Sequence, residues 1–412
     1  MEKPLTGTGA AWRVFALFAC GYFISYAFRG VNLGFAPYLT AELGVTAADL
    51  GLLTSLYFLG FAGAQIPAGM LLDRYDARRA CAALMLVAAA GAVMYGAAQD
   101  LQGLMAGRLL IGIGLSVCLG GAYKALAQWF EMRRLPLVNG LTVAVGGMAG
   151  VAMGSPMLWL LELTDWRNVS FGLAGLTVAV ALAIWLGVPR ERETARPIDL
   201  RSQFAGLRQI WGSLAFWKTG VAASLNQGIF FAMQTLWVAP FVRDVNGVGI
   251  EEAGFLVSLL GIAMVAGSFV FGLFARRFER LGVSLATQCG AGIAVFILVQ
   301  AAIMARLPLP LWLLWSAYGF FGSSGLLGYA LVARGFAPHL LGRANTSFTL
   351  LIFLLVFVCQ LGIGAVLDLW PARAGGYPPA AHLSAWGVLV ALQVLSLAWY
   401  FLPARRGTAR AE

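Results

Sequence analysis

The chain has 412 residues, of which 60% are hydrophobic and 11% charged, and its formal net charge is +10. A soluble domain carries about 25% charged residues, so these charges are too few to cover a water-facing surface of this size. The composition therefore excludes a soluble globular protein, a disordered chain and a coiled coil. It predicts an all-α integral membrane protein with many spans.

The predicted spans follow from the length of the apolar runs, because a membrane helix needs about 20 mostly apolar residues. Read in chain order, twelve runs qualify: 14–40, 49–72, 80–98, 101–123, 135–161, 169–188, 214–242, 252–275, 283–304, 309–332, 347–367 and 384–402. The longest polar stretch separates the sixth run from the seventh. We therefore predict an N-terminal six-helix bundle over 1–188, a cytoplasmic linker over 189–212 and a C-terminal six-helix bundle over 213–412.

The basic residues are divided unequally between the two sides of the predicted membrane. With the N-terminus in the cytoplasm, 22 Lys and Arg residues fall on the cytoplasmic side, four fall on the other side, and Arg29 and Arg108 lie within spans. Cytoplasmic loops carry such an excess, so both termini are predicted to be cytoplasmic, in a bacterial-type plasma (inner) membrane. The basic residues form no single stripe or domain, and nucleic acid is therefore not an expected partner.

The two halves of the chain share an internal repeat. At an offset of 203 residues, Ala36–Pro37 aligns with Ala239–Pro240, and Gly51 aligns with Gly254. A constant offset over several unusual residue pairs is typical of a duplicated unit. The repeat predicts two pseudo-symmetric bundles in parallel orientation, with a cavity between them near the middle of the membrane.

Two motifs carry a resemblance to a known family. The segment Gly69–Arg79, GMLLDRYDARR, resembles the G-x-L-a-D-r-x-G-r-r loop motif of the major facilitator superfamily, with Asp73, Arg74 and Arg78 at matching positions. The segment RLLIGIG, which begins at Arg108, resembles the R-x-x-x-G-x-g signature of the same family. The resemblance covers essentially the whole chain, and it implies the fold of that superfamily: twelve transmembrane helices in two six-helix bundles.

The resemblance also implies a function and a set of gating residues. Members of this superfamily are secondary transporters, and the resemblance favours a functional monomer. We expect no cofactor and no enzymatic activity. Gly69, Asp73, Arg74 and Arg78 would hold the cytoplasmic ends of the halves together, with Glu131 as a candidate partner.

The strongest candidate for a solute-binding site is a polar face on the first span. Arg29 lies about halfway along it, and Tyr22 and Tyr26 precede it on the same helical face, with Asn32 on the flank. A buried arginine usually faces a wet cavity or a partner, and a guanidinium with nearby hydroxyls suits an anionic solute. Arg29 is similar to an arginine in the first span of family branches that carry organic anions. Those branches usually have a second basic residue in the seventh span, and the aligned residue here is Ala232.

Several further residues within the spans are candidates for solute binding. Arg108 is equally compatible with solute contact and with helix packing inside its family motif. The other candidates are amides and aromatic residues on the seventh, tenth and eleventh spans: Asn226, Phe230, Gln234, Tyr318 and Gln360.

The leading hypothesis is a secondary active or facilitative transporter that moves a small organic solute, expected to be anionic, by alternating access. A proton is a candidate coupling ion, but no Asp or Glu lies near the centre of a span, and the two histidines, His339 and His382, are far apart. Two alternatives stay open: a metal or metallophore carrier, suggested by Met233 and Met264, and a membrane receptor or scaffold that transports nothing.

Overall fold

The computed structural model describes residues 8–190, 200–337, 340–372 and 376–402. Part of the predicted linker and a few of the basic residues used for the orientation, among them Arg192, Arg196 and Arg373, lie outside the described residues.

The N-terminal half contains eight helices. They are α1 (Thr8–Leu43), α2 (Ala47–Arg74), α3 (Ala77–Ala97), α4 (Leu101–Leu115), α5 (Cys118–Trp129), α6 (Leu135–Ala152), α7 (Ser155–Leu163) and α8 (Trp166–Gly187). Because α4 and α5 nearly continue one another, and α7 continues α6 after a bend of 53°, these eight helices form six spans.

The C-terminal half begins with a helix in the polar stretch and continues with the remaining spans. Its helices are α9 (Leu200–Trp211), α10 (Leu214–Ala232), α11 (Val238–Asn246), α12 (Ile250–Arg280), α13 (Leu285–Met304), α14 (Leu311–Gly322), α15 (Leu327–Arg334), α16 (Leu341–Leu367) and α17 (Pro379–Phe401). A π-helical turn, Met233–Trp237, joins α10 to α11, and a 3-10 turn, Ser323–Leu326, joins α14 to α15. With each joined pair counted once and α9 set aside, this half also has six spans.

By length and composition alone, nine helical segments among the described residues qualify as membrane spans, or ten if the bent pair α6–α7 counts as one. The seventh and tenth spans are not among them, and each contains one of the two irregular turns. The helices thus agree with the predicted twelve-span, all-α fold.

Capping side chains determine where several helices begin. Thr46 and Asp49 form a capping box at α2, and the carboxylates of Asp76, Asp100 and Asp165 accept backbone N–H bonds at α3, α4 and α8. Such caps satisfy backbone donors that have no partner inside the helix. Asp76 stands where the family motif has glycine, so this loop makes its turn with a helix cap.

The spans alternate in direction, which gives the bundle two ends. The loops 74–77, 129–135, 280–285 and 334–337 lie at the end that we name the basic end. The loops 43–47, 97–101, 163–166, 246–250, 304–311 and 367–372 lie at the end that we name the opposite end.

Glycines bring the two halves into close contact near the opposite end. At the seam between α2 and α16, a Cβ atom on Gly364 would lie 2.4 Å from the Ala47 carbonyl oxygen. At the seam between α6–α7 and α12, a Cβ on Gly154 would lie 2.4 Å from the Gly254 carbonyl oxygen. Only residues without a side chain allow such approach. The repeat-aligned Gly51 and Gly254 each lie in one of these two seams, as the pseudo-symmetry requires.

Candidate functional site

A central cavity of about 260 Å³ lies between the two halves. Its walls come from α1, α5 and α6 of one half and from α10, α12 and the 3-10 turn of the other. Tyr22, Tyr26 and Phe230 are the predicted solute-binding residues that line it. Two further lining residues, Tyr123 and Asn139, lie in the parts of α5 and α6 nearer the basic end, so the cavity lies on the basic-end side of the glycine seams.

Several polar side chains of the cavity wall are already hydrogen-bonded within the protein. The hydroxyls of Ser268 and Ser323 donate to carbonyl oxygens of their own chain segments, at 2.9 and 2.7 Å. The Gln227 side chain accepts a bond from the neighbouring Asn226 at 3.5 Å. The Asn139 Oδ1 atom, in contrast, is buried without a hydrogen-bond partner among the described residues. It is therefore the clearest unused polar atom of the wall.

Arg29 is buried in an aromatic cage. Its guanidinium carbon lies 5.8 and 5.0 Å from the ring centroids of Tyr22 and Tyr26, and 5.1 Å from those of both Phe61 and Phe353. The side chain is only 3% exposed, and no carboxylate of the described residues lies within 4.0 Å of it. Ring faces attract a cation, so the cage stabilises the charge without a counter-ion.

Tyr22 and Tyr26 separate the Arg29 guanidinium from the cavity, which Arg29 itself does not line. The Tyr26 hydroxyl donates to Gln234 Oε1 at 3.2 Å and approaches the Met264 sulfur at 3.0 Å, both across the interface of the halves. The predicted polar face of the first span is thus a real cluster. Its tyrosines face the cavity, and its cation lies behind them.

Asn32 and Arg108 belong to a different cluster, inside the N-terminal half. The Asn32 amide donates to Thr54 Oγ1 at 2.8 Å and accepts from the Tyr95 hydroxyl at 2.9 Å. Arg108 is fully buried and donates to the Phe28 carbonyl oxygen at 2.6 Å. Neither residue lines the central cavity, and both connect helices within one half.

The predicted residues of the C-terminal half are also divided between the cavity and the helix contacts. Phe230 lines the cavity, and the Tyr318 ring stacks behind it with centroids 5.7 Å apart. The Asn226 amide donates to the Gly322 carbonyl oxygen at 2.9 Å, and the Gln360 amide donates to Thr235 Oγ1 at 3.2 Å. Tyr318, Asn226 and Gln360 thus support the site from behind its wall.

In this conformation, the contacts of two predicted gating residues, Arg74 and Arg78, lie within the N-terminal half. Arg78 donates to two carbonyl oxygens at the end of α8, at 3.2 and 3.3 Å, and Arg74 stacks on the neighbouring tyrosine ring. Asp73 and Glu131 are exposed, and a Cβ on Gly69 would meet open space. Their role in closing the basic end stays a prediction.

Sequence reasoning did not find several residues around the site. Phe61 and Phe353 complete the cage, Tyr57 packs beneath it, and Tyr123 lines the cavity. Met264 was noted only as a candidate metal ligand, but here its sulfur lies 3.0 Å from the Tyr26 hydroxyl. The repeat could have pointed to two of these residues. Phe61 and Met264 are 203 residues apart, so they occupy equivalent positions in the two halves.

The alternative of metal transport gains no structural support. Among residues in the described ranges, no three His, Cys, Asp or Glu side chains are grouped as metal ligands would be. Met233 is buried in the π-helical turn at 2% exposure.

Two bundles of six spans around a cavity between them define the chain as a membrane transporter. The sequence profile of the Major Facilitator Superfamily matches residues 18–359, and the chain belongs to that superfamily. The predicted fold and transporter class are thereby confirmed.

Known relatives and structures agree with this membership. The chain is 21% identical over 302 residues to a probable sulfoacetate transporter of Cupriavidus necator, with 70% of each chain covered. It is 21% identical over 397 residues to a probable galactarate/D-glucarate transporter of Escherichia coli, with 86% of each covered. A bacterial homologue of the human lysosomal transporter Spinster has a similar structure, with a TM-score of 0.77, 19% identity, and 96% and 97% of the two chains covered.

Proposed function

We propose that this transporter moves a small organic anion by alternating access of the central cavity. Arg29 is the observation that carries this proposal. It is a buried cation in the middle of a span, it has no carboxylate within 4.0 Å among the described residues, and its cage rings Tyr22 and Tyr26 also form the cavity wall. An unpaired charge at this depth is expensive, and such residues usually serve transport.

The relatives support an anionic solute. Sulfoacetate, galactarate and glucarate, the compounds in the names of the two relatives, are all organic anions. Because identity is only 21%, the class of charge is a better guide here than the individual compounds.

The cavity wall gives a second property of the solute. Most of its lining is aromatic or aliphatic, and several of its polar side chains are already hydrogen-bonded within the protein. A solute that buries an apolar body there and presents one anionic group toward Arg29 fits this wall. For that contact, the Tyr22 and Tyr26 rings have to move aside.

The geometry supports alternating access as the mechanism. The glycine seams hold the halves together near the opposite end, while the cavity lies toward the basic end. With the basic end in the cytoplasm of a bacterial-type cell, this conformation is closed to the outside, and both termini are cytoplasmic.

The experiment begins with solutes and then tests the cation. Thermal unfolding of the purified protein would be measured with glucarate, sulfoacetate and benzoate, and with the neutral galactitol. The anion that stabilises most would then be used for uptake into proteoliposomes. Arg29→Gln should reduce uptake about 10-fold to 100-fold, since a hydrogen bond to a charged group contributes about 1.5–3 kcal/mol.

Arg13→Gln is the matched control, because Arg13 is an exposed arginine of the same helix. Its uptake should equal that of the unchanged protein. Equal uptake by Arg29→Gln would remove the cation from the transport site, and stabilisation by galactitol alone would refute the anionic solute.

A further inference from the structure

We propose that Asp244 and His382 form a proton-binding site that controls closure of the opposite end. This inference rests on the proposed alternating-access mechanism, and it concerns a pair of residues outside the central cavity. It would make the proton a ligand that the transporter binds during its cycle.

The pair is close and buried. His382 Nε2 lies 2.7 Å from Asp244 Oδ2, and the two side chains are 3% and 8% exposed. Asp244 comes from α11 and His382 from α17, and the Phe241 ring packs edge-on against the imidazole with centroids 5.9 Å apart. No Lys or Arg of the described residues lies within 4.0 Å of Asp244, including its neighbour Arg243.

An imidazole beside a carboxylate is a pair that can take up and release one proton. Histidine is the side chain that ordinarily changes charge between about pH 5 and 8. With the proton bound, an imidazolium compensates the buried carboxylate; without it, the carboxylate keeps only neutral donors, which is costly in a buried position. The buried carboxylate of Asp76 differs because it pairs with two arginines, Arg78 and Arg79, and not with a histidine.

A short chain of contacts connects this pair to the closed end. Asp244 Oδ2 also accepts the Tyr377 backbone N–H at 2.9 Å. The Tyr377 hydroxyl donates to Asp368, which follows the last residue of α16. Asp368 in turn accepts the backbone N–H groups of Ala47 and Ala48 at 3.2 and 3.0 Å, at the start of α2 in the other half. A carboxylate is favoured at a helix N-terminus, so this contact holds the halves together.

Neither Tyr377 nor Asp368 changes its charge near neutral pH. Burial and the bond to Asp368 raise the pKa of Tyr377 to about 12, with Asp49 of α2 adding to the rise. Burial opposes ionisation of Asp368, but hydrogen bonds from Tyr377, Thr46 and the α2 backbone outweigh it and lower its pKa. The pair is thus the part of this series of contacts to which we assign the proton.

The direction of the response follows from the charges. The bound proton keeps Asp244 paired and in place beneath Tyr377, which positions the hydroxyl that holds Asp368. Loss of the proton favours hydration of the carboxylate, and water reaches it when this end opens. The closed population should therefore fall as pH rises.

Spin-label distances would test this without any solute. Gln99→Cys and Leu307→Cys place labels on exposed loops of the two halves at the opposite end, in a background with the exposed Cys20 changed to Ser. Between pH 5.5 and 8, the ratio of long to short distances should rise about tenfold, if closure changes proton affinity by about one pKa unit.

Two variants separate the pair from a general effect of pH. His382→Gln should make the ratio independent of pH. Tyr377→Phe leaves the pair intact but removes the hydroxyl that links it to Asp368, so this variant should also flatten the pH response. It provides the test if His382→Gln does not fold. An unchanged pH response in either folded variant would overturn the proposal. So would a ratio that stays constant with pH in the labelled protein that carries neither substitution. Failure to transport anions would not alter this readout, so the two proposals fail separately.

Discussion

The seam between α2 and α16 allows a direct prediction about the transport cycle. Gly364→Ala should drive the opposite end open. A Cβ atom on residue 364 would lie 2.4 Å from the Ala47 carbonyl oxygen and 3.1 Å from the Ala48 Cα atom. Both neighbours are backbone atoms, which cannot rotate away as a side chain would. The helices must therefore separate.

The size of the effect can be worked out from the same geometry. Ordinary contact begins near 3.4 Å, so the seam must widen by about 1 Å. That displacement breaks the bonds from Ala47 and Ala48 to Asp368, which are 3.2 and 3.0 Å long. Overpacking costs about 1–3 kcal/mol, and a hydrogen bond to a charged group contributes about 1.5–3 kcal/mol. Because Asp368 is exposed, we count its two bonds together at the lower limit for a single one, about 1.5 kcal/mol, and overpacking at its lower limit of about 1 kcal/mol. Together they give about 2.5 kcal/mol, or a shift of about 70-fold toward the open state.

The assay is the spin-label pair on Gln99 and Leu307, read at constant pH. Gly362→Ala is the matched control, since it lies two residues away on the same helix and a Cβ there would meet nothing within 4 Å. Gly364→Ala should show mainly long distances, and Gly362→Ala should match the unchanged protein. Identical distance distributions in the two variants would show that this seam does not limit opening.

Three further outcomes are expected. Gly112→Ala should lower the thermal unfolding temperature sharply, because its Cβ would lie 2.1 Å from the Tyr57 carbonyl oxygen, whereas Gly140→Ala, which meets nothing within 4 Å, should not. Tyr26→Phe keeps the ring of the cage but loses its bonds across the halves, so uptake of the identified anion should fall less than tenfold, while Tyr26→Ala should cost more. Asp76→Ala removes a helix cap and should lower stability by about 1–2 kcal/mol in denaturant unfolding, with Asp76→Asn less affected.

The fold was largely predictable because both the length of the apolar runs and the internal repeat can be read directly from the sequence. Apolar run length predicts the spans, and the 203-residue offset places Gly51 and Gly254 in equivalent seams. The π-helical turn after Ala232 and the 3-10 turn after Gly322 were not predicted. Span prediction averages over about 20 residues, so it does not detect a change of hydrogen-bonding register inside one helix.

The site was predictable only where its residues share one helix. Tyr22, Tyr26 and Arg29 were found through their spacing on α1, which fixes a common face. Phe353 completes the same cage from a helix more than 300 residues later, and no local pattern connects them. His382 was taken for an isolated histidine for the same reason, because Asp244 is 138 residues away in the sequence.

The aromatic cage connects the proposed solute site to the closure of the opposite end. Phe353 belongs to α16, and it covers Arg29 while packing against Phe61 and Phe58 of α2, with ring centroids 4.5 and 5.8 Å apart. The same two helices form the glycine seam, so separating them withdraws Phe353 from the guanidinium. Arg29 then loses a cation–π contact of about 0.5–2 kcal/mol. Under the proposed function, an anion that enters from the opened side would replace that contact. Its binding would then differ between the two states, as a ligand's binding must if it is to shift a conformational equilibrium.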